Sequence, residues 1–183
     1  MYYNQKDKHI IRRNHRLYVP EGTYFITSVT KQRNPLFQDQ EAIELLKQIL
    51  HNVKELYPFT MHAYAFLPDH FHIMLKSSSS VTISQIMQSL KQNFTWSYKK
   101  IKNIPNSTSI VIWQSGSWDH VIRDENDYNR HLDYINYNPV KHGYVSKPEE
   151  FPHSSYMTCV NKGWYEIGWG YKEPEKLKDI DFE

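Results

Sequence analysis

The chain holds a single cysteine, Cys159, in 183 residues. A lone thiol excludes an internal disulfide and fits a reducing compartment. Consecutive apolar residues never run beyond a few positions, so no stretch is built to span a membrane. The opening residues, MYYNQKDKHIIRR, lack the apolar core of a secretory signal, and the cytoplasm is the expected location. No repeat of roughly 20–50 residues is present, which argues against a solenoid. Acidic residues are missing from the middle of the chain: from His70 to Trp118 there are five lysines and no Asp or Glu.

Hydrophobic content of 39% and charged content of 23% describe an ordinary globular chain, long enough for one domain with a real core. The formal net charge of +2 hides an uneven distribution. Residues 1–33 carry seven Lys/Arg against two acids, whereas residues 149–183 carry eight acids against four lysines. A basic front, an acid-free middle and an acidic tail suit a domain that faces nucleic acid, with solvated surface charge as the plain alternative. Fourteen tyrosines and five tryptophans supply rings for the core and for stacking on unpaired bases.

The chain divides into a basic arm (1–20, with Arg12, Arg13 and Arg16), a folded domain (21–145) and a tail (146–183) expected to pack loosely. Residues 23–30 are β-branched and aromatic, as a strand requires. Asp39 caps a helix whose apolar stripe is Ala42, Leu45, Leu46, Ile49, Leu50, Val53 and Leu56, and Pro58 ends it. Residues 60–66 and 70–76 form a hairpin about Leu67-Pro68-Asp69. Thr82 and Gln85 match a capping box that opens a second helix. That helix buries Ile83, Ile86, Met87, Leu90, Phe94, Tyr98 and Ile101, and shows Lys91 and Lys99 on its other face. Short strands follow at 110–113 and 118–123. Asp124 caps a third helix, expected to end near Asn138 because Pro139 disfavours helical geometry in the residue before it. Strand, helix, hairpin, helix, strand, helix is the order of an α+β, ferredoxin-like sandwich, an antiparallel sheet with helices.

Alternate residues of a strand share a face, so His70 and His72 project together while Phe71, Ile73 and Leu75 enter the core. Two imidazoles so placed, on an exposed face of the sheet, can converge on one divalent ion, which still needs a third ligand. On the third helix Tyr134 and Asn138 are one turn apart on a shared face. Asn138 can offer its side-chain oxygen as that ligand, and Tyr134 then stands beside the ion. The plain alternative has Tyr134 packing with Leu132 and Ile135, and Asn138 capping the helix. Taken together the four residues suit attack of a phenol on a phosphodiester assisted by Mg²⁺ or Mn²⁺, the energy being kept in a phosphotyrosine. Tyr128 and Tyr137 are rival nucleophiles on the same helix. His120 and His131 are assigned structural roles, with proton transfer the alternative.

The stretch Leu67-Pro68-Asp69-His70-Phe71-His72-Ile73-Met74-Leu75 resembles the histidine–hydrophobic–histidine (HUH) motif of the single-tyrosine transposases. Tyr134-Ile135-Asn136-Tyr137-Asn138-Pro139-Val140-Lys141-His142-Gly143 resembles their tyrosine helix, in the form found in REP-associated tyrosine transposases. Supporting stretches begin at Pro20, Trp113, Trp118 and Phe151, so the likeness covers most of residues 16–156. Phe71 is a mild departure, standing where a smaller aliphatic residue is usual. The resemblance implies a ferredoxin-like nuclease that recognises hairpins in single-stranded DNA, forms a 5′-phosphotyrosine and frees a 3′-OH. It implies His70, His72 and Asn138 as ligands of Mg²⁺ or Mn²⁺ and Tyr134 as nucleophile. Arg12, Arg13, Arg16, Lys91 and Lys99 would contact phosphates, and a homodimer is allowed. A catalytically silent hairpin-binding relative is the alternative to the enzyme.

Overall fold

Strand β1 (Thr23–Val29) lies inside a four-stranded antiparallel sheet of order β2-β3-β1-β4, with β2 at Phe59–Phe66, β3 at His70–Ser77 and β4 at Trp118–Val121. The computed structural model describes residues 19–178 and Phe182. Arg12, Arg13 and Arg16 therefore lie outside the described residues. Helix α1 (Gln40–Leu56) connects β1 to β2, and α2 (Ile83–Ile101) connects β3 to β4. This is the expected ferredoxin-like order, followed by α3 (Glu125–Lys141) and α4 (Tyr156–Asn161).

Period two along the inner strands sorts their side chains between two cores. Tyr24 and Ile26 of β1, with Phe71, Ile73 and Leu75 of β3, join the core under α1 and α2. Phe25 and Met74 point the other way, into a core shared with Leu132, Tyr134 and Ile135 of α3 and Cys159 of α4. Both faces of the sheet are thus covered, and β3 is buried over nearly its whole length. The caps sit where the sequence puts them. Asp39 accepts from the Glu41 N–H, Thr82 and Gln85 form a capping box, and Asp124 accepts from the Asp127 N–H.

Several expectations need correction. Leu56, the last residue of α1, is 69% exposed although it falls on the apolar stripe, which is buried only as far as Val53. Tyr98 and Ile101, in the last turns of α2, are only half-buried. Residues 110–113 form no strand, only an isolated pairing of Trp113 with Thr30. The tail is not loosely packed among its described residues. Ser154 pairs with Ala65 along the free edge of β2, and Tyr156 and Cys159 are buried. The Ser155 hydroxyl donates to Asn136 Oδ1 at 2.8 Å and accepts from the Tyr64 N–H at 3.0 Å, sewing the tail to α3 and β2.

Helix α3 also runs through Pro139 to Lys141 rather than ending near Asn138. Proline has no N–H to give Ile135, but the helix resumes with the His142 N–H bonded to the Asn138 carbonyl at 3.0 Å. Gly143, in the left-handed region at φ 70°, then closes the helix. Its N–H bonds to the Val140 carbonyl and that of Tyr144 to the Pro139 carbonyl, the paired bonds of a Schellman ending.

Candidate active site

The two strand histidines and the tyrosine of α3 meet in the space between β3 and α3. The rings of His70 and His72 are 4.9 Å apart between centroids, and His72 meets the Tyr134 ring edge to face at 5.4 Å. All three residues are buried, so the exposed sheet-surface site expected from the sequence is instead roofed by α3. Phe25 of β1 stacks on His72 at 5.4 Å and backs the Tyr134 ring.

Each imidazole is held by its Nδ1. His70 Nδ1–H donates to Asp69 Oδ1 at 2.5 Å, and His72 Nδ1 hydrogen-bonds the Thr27 hydroxyl at 2.8 Å. An Nδ1 engaged as donor leaves the Nε2 lone pair as the ligand atom, the arrangement common for metal-binding histidines. Burial pushes the Asp69 carboxyl up. The hydrogen bond from His70 and the Arg33 guanidinium outweigh it and keep Asp69 below the usual carboxylate range. Asp69 is therefore charged at neutral pH and fixes the tautomer of His70.

Asn138, one turn beyond Tyr134, is fully buried, and neither Oδ1 nor Nδ2 of its side chain has a hydrogen-bond partner. Leaving a buried polar group unsatisfied costs about 1–3 kcal/mol. A cation taking the amide oxygen would offset that cost, so the donor set of two imidazoles and one amide oxygen fits a divalent ion.

The rival tyrosines have other surroundings. Tyr128 hydrogen-bonds His62 Nδ1 at 2.9 Å, and Tyr137 lies against Gly170. Burial raises the pKa of both phenols. Lys91 and Lys99 stand on α2, across the sheet from the histidines. Lys91 Nζ bonds the Gly116 carbonyl, and Lys99 Nζ bonds the carbonyls of Asn106 and Thr108 at 3.0 and 2.7 Å.

Several neighbours of the site were not singled out as site residues from the sequence, among them Phe25 and Phe182, whose rings pack on Tyr134. Thr27 and Asp69 hold the two imidazoles. Lys141 Nζ lies 4.9 Å from the Tyr134 ring centroid, and His142 meets His70 edge to face at 5.3 Å. The signal for Lys141 and His142 was present in the motif after Pro139, but a helix ending at Asn138 would have turned them away.

A family model described as "Transposase IS200 like" matches residues 18–137. A putative REP-associated tyrosine transposase of Haemophilus influenzae is 35% identical over 163 residues, covering 86% of this chain and 92% of the relative. A REP-associated tyrosine transposase of Escherichia coli K12 is 34% identical over 156 residues, covering 84% and 88% respectively. Among solved structures, a REP-associated tyrosine transposase bound to a REP hairpin superposes with a TM-score of 0.75 at 29% identity, covering 88% of this chain and 93% of that one. With an antiparallel sheet of the expected order and a histidine pair facing a helical tyrosine, the chain belongs to the IS200-like transposases, in the branch of the REP-associated tyrosine transposases.

Proposed function

We propose that this transposase binds a hairpin in single-stranded DNA and cuts and rejoins the strand through Tyr134. The observation that carries the reading is the contact of the Tyr134 and His72 rings, with the vacant amide of Asn138 one turn along the same helix. The phenol loses its proton as Oη attacks the phosphorus. The bond to O3′ breaks, a 3′-OH leaves, and a 5′-phosphotyrosine remains. Attack by a 3′-OH on that ester reverses the step, frees the phenol and needs no nucleotide cofactor. His70, His72 and Asn138 would hold Mg²⁺ or Mn²⁺. When bound, such an ion supplies positive charge that offsets charge developing on the phosphate.

The protein's own side chains orient the reaction. Phe25 and His72 wall the Tyr134 ring and restrict its swing, and α3 excludes bulk water from the histidines. Lys141, over the ring, is placed to meet an incoming phosphate. Lys91, bonded beside the loop that leads into the edge strand β4, would contact a stem that wraps that edge, with Lys99 farther along α2. Arg12, Arg13 and Arg16 would add phosphate contacts. The hairpin preference is supported by the relative solved with a REP hairpin.

The test is covalent capture. The full chain, incubated with Mn²⁺ or Mg²⁺ and single-stranded oligonucleotides carrying hairpins, is expected to give a protein–DNA band stable to denaturant. Tyr134→Phe should abolish that band and keep hairpin binding, while Tyr128→Phe and Tyr137→Phe keep both. An undiminished adduct with Tyr134→Phe overturns the nucleophile assignment. Hairpin binding without cleavage by the unaltered chain would favour a catalytically silent relative.

A further inference from the structure

A second cluster of ligand-type side chains lies outside the Tyr134 site, where the edge strand β4 meets the first turns of α3. Asp127 and His131 are i and i+4 on α3 and share a face, and His120 approaches them from β4. His120 Nε2 lies 2.8 Å from Asp127 Oδ2, and His131 Nδ1 lies 3.2 Å from Asp127 Oδ1. One ligand atom from each of the three residues falls within 4.8 Å of the others. The two imidazoles stack at 4.7 Å between centroids, 16° from parallel, and each turns a nitrogen to the same carboxylate. We propose that His120, Asp127 and His131 form a second metal site, for a borderline first-row divalent ion of the Zn²⁺ type.

The chemistry of the donors selects the ion. Two imidazole nitrogens and one carboxylate oxygen suit a borderline dication better than Ca²⁺, which favours an all-oxygen shell. Bonds of about 2.0–2.2 Å in tetrahedral geometry set ligand atoms roughly 3.3–3.5 Å apart, so the ligand atoms are near the required spacing and the stacked rings must turn for both lone pairs to meet at one ion. Three protein ligands leave a fourth position, and His120, 24% exposed in its side chain, marks the side open to solvent.

Ligation requires the His131 ring, packed against Phe182 at 4.1 Å between centroids, to turn its Nδ1 away from the Asp127 carbonyl. Arg123 donates to Asp127 Oδ2 from its backbone N–H at 3.0 Å and from Nε at 3.2 Å. The backbone bond can persist, and the guanidinium, on a side chain 74% exposed, is free to swing away. His131 now gives its Nδ1–H to the Asp127 carbonyl at 2.8 Å, and its other nitrogen, Nε2, is buried without a hydrogen-bond partner. Ligation through Nδ1 moves the ring proton to Nε2, a tautomer change with no change in charge. Burial lowers the pKa of His131 and keeps the ring neutral, as a ligand must be. Burial pushes the Asp127 carboxyl up, but hydrogen bonds from His120 and Arg123 prevail and hold it at about 2, so it is an anion throughout the useful pH range.

The site does not depend on the strand-transfer reading, and its test separates the two. The full chain, stripped with chelator, is dialysed against Zn²⁺, and bound metal is measured by elemental analysis. Two equivalents are expected, one per site. His120→Ala and the near-isosteric Asp127→Asn should each reduce binding to one equivalent, and His72→Gln should remove the other. Zn²⁺ should raise the thermal midpoint of His72→Gln and not that of a His72→Gln, His120→Ala double variant. His120→Ala, at the partly exposed sheet edge, and Asp127→Asn give two independent routes should either variant fail to fold. One equivalent in the unaltered chain, lost with His72→Gln and kept with Asp127→Asn, overturns the proposal. So does full binding by both His120→Ala and Asp127→Asn.

Discussion

The imidazole of His142 meets that of His70 edge to face at 5.3 Å, although His142 lies beyond a proline in α3. The contact exists because the helix is carried past Pro139 and closed by Gly143. Lys141, the last helical residue, is delivered to the Tyr134 ring by the same continuation. Three residues of helix thus bring two more cationic or titratable groups to the site.

Gly143→Ala tests that dependence. A Cβ at Gly143 would meet nothing within 4 Å, so the substitution carries only the backbone cost of φ 70°. That cost is about 1–2 kcal/mol for a residue with a Cβ. Urea unfolding should show a loss of this size. Adduct formation should fall further than hairpin binding, because fraying of the last turn displaces Lys141 and His142. Equal loss of both activities would mean that the end of α3 serves the fold alone.

The parts of the site that follow from local periodicity were legible in the sequence. His70 and His72 share a face because strand side chains alternate, and Tyr134 and Asn138 share one because a helix turns every 3.6 residues. Thr27 was not legible as a partner of His72, because that pairing depends on the register of β1 against β3, where the two stand opposite. The burial of the histidines is likewise not a local property, since only the packing of α3 makes the second face of the sheet an interior. The tail lacks a long periodic segment, so its attachment by Ser154 and Ser155 to β2 and α3 had no sequence signal beyond the short Phe-Pro-His-Ser-Ser-Tyr stretch. At Pro139 a sound local rule was overruled by the closure at Gly143.

Asn138→Leu should separate stability from activity. The amide is buried with both polar atoms unpartnered, and leucine is close to it in shape. Removing an unsatisfied amide should stabilise the metal-free protein by about 1–3 kcal/mol, read as a higher midpoint in chelator. Mn²⁺ should then give a smaller added stabilisation than in the unaltered chain, and adduct formation should be lost. A less stable metal-free variant would show that the amide is satisfied in solution by water.

Asp69→Asn addresses the tautomer of His70. The carboxylate receives the His70 Nδ1 proton at 2.5 Å and is joined by Arg33 Nη1 at 3.2 Å. An amide can accept the same proton but brings no charge, and it can turn its own N–H₂ toward the ring. Loss of such an orienting partner lowers metal affinity by about 10–100-fold. Mn²⁺ titration of the variant should show that weakening, with the thermal midpoint in chelator much less affected. Unchanged Mn²⁺ affinity would remove Asp69 from the account of the site.

Stability should fall as the pH drops from 7 to 5, and His62 should contribute to the fall. Its ring is part-buried on β2, with Nδ1 bonded to the Tyr128 hydroxyl and Nε2 buried without a partner. Burial first, then the nearby charges of Lys162 and Lys76, lower its pKa below the usual 6.5. The unfolded chain therefore takes up a proton more readily than the folded one. This contribution to stability is complete above the unfolded pKa and is lost as the pH falls through it toward the lower folded value. His153, lowered by burial as well, acts in the same direction. Urea unfolding across that range should show a smaller slope for His62→Gln, whose amide can still reach the Tyr128 hydroxyl and does not titrate. An identical slope would mean that His62 protonates as readily in the fold as out of it.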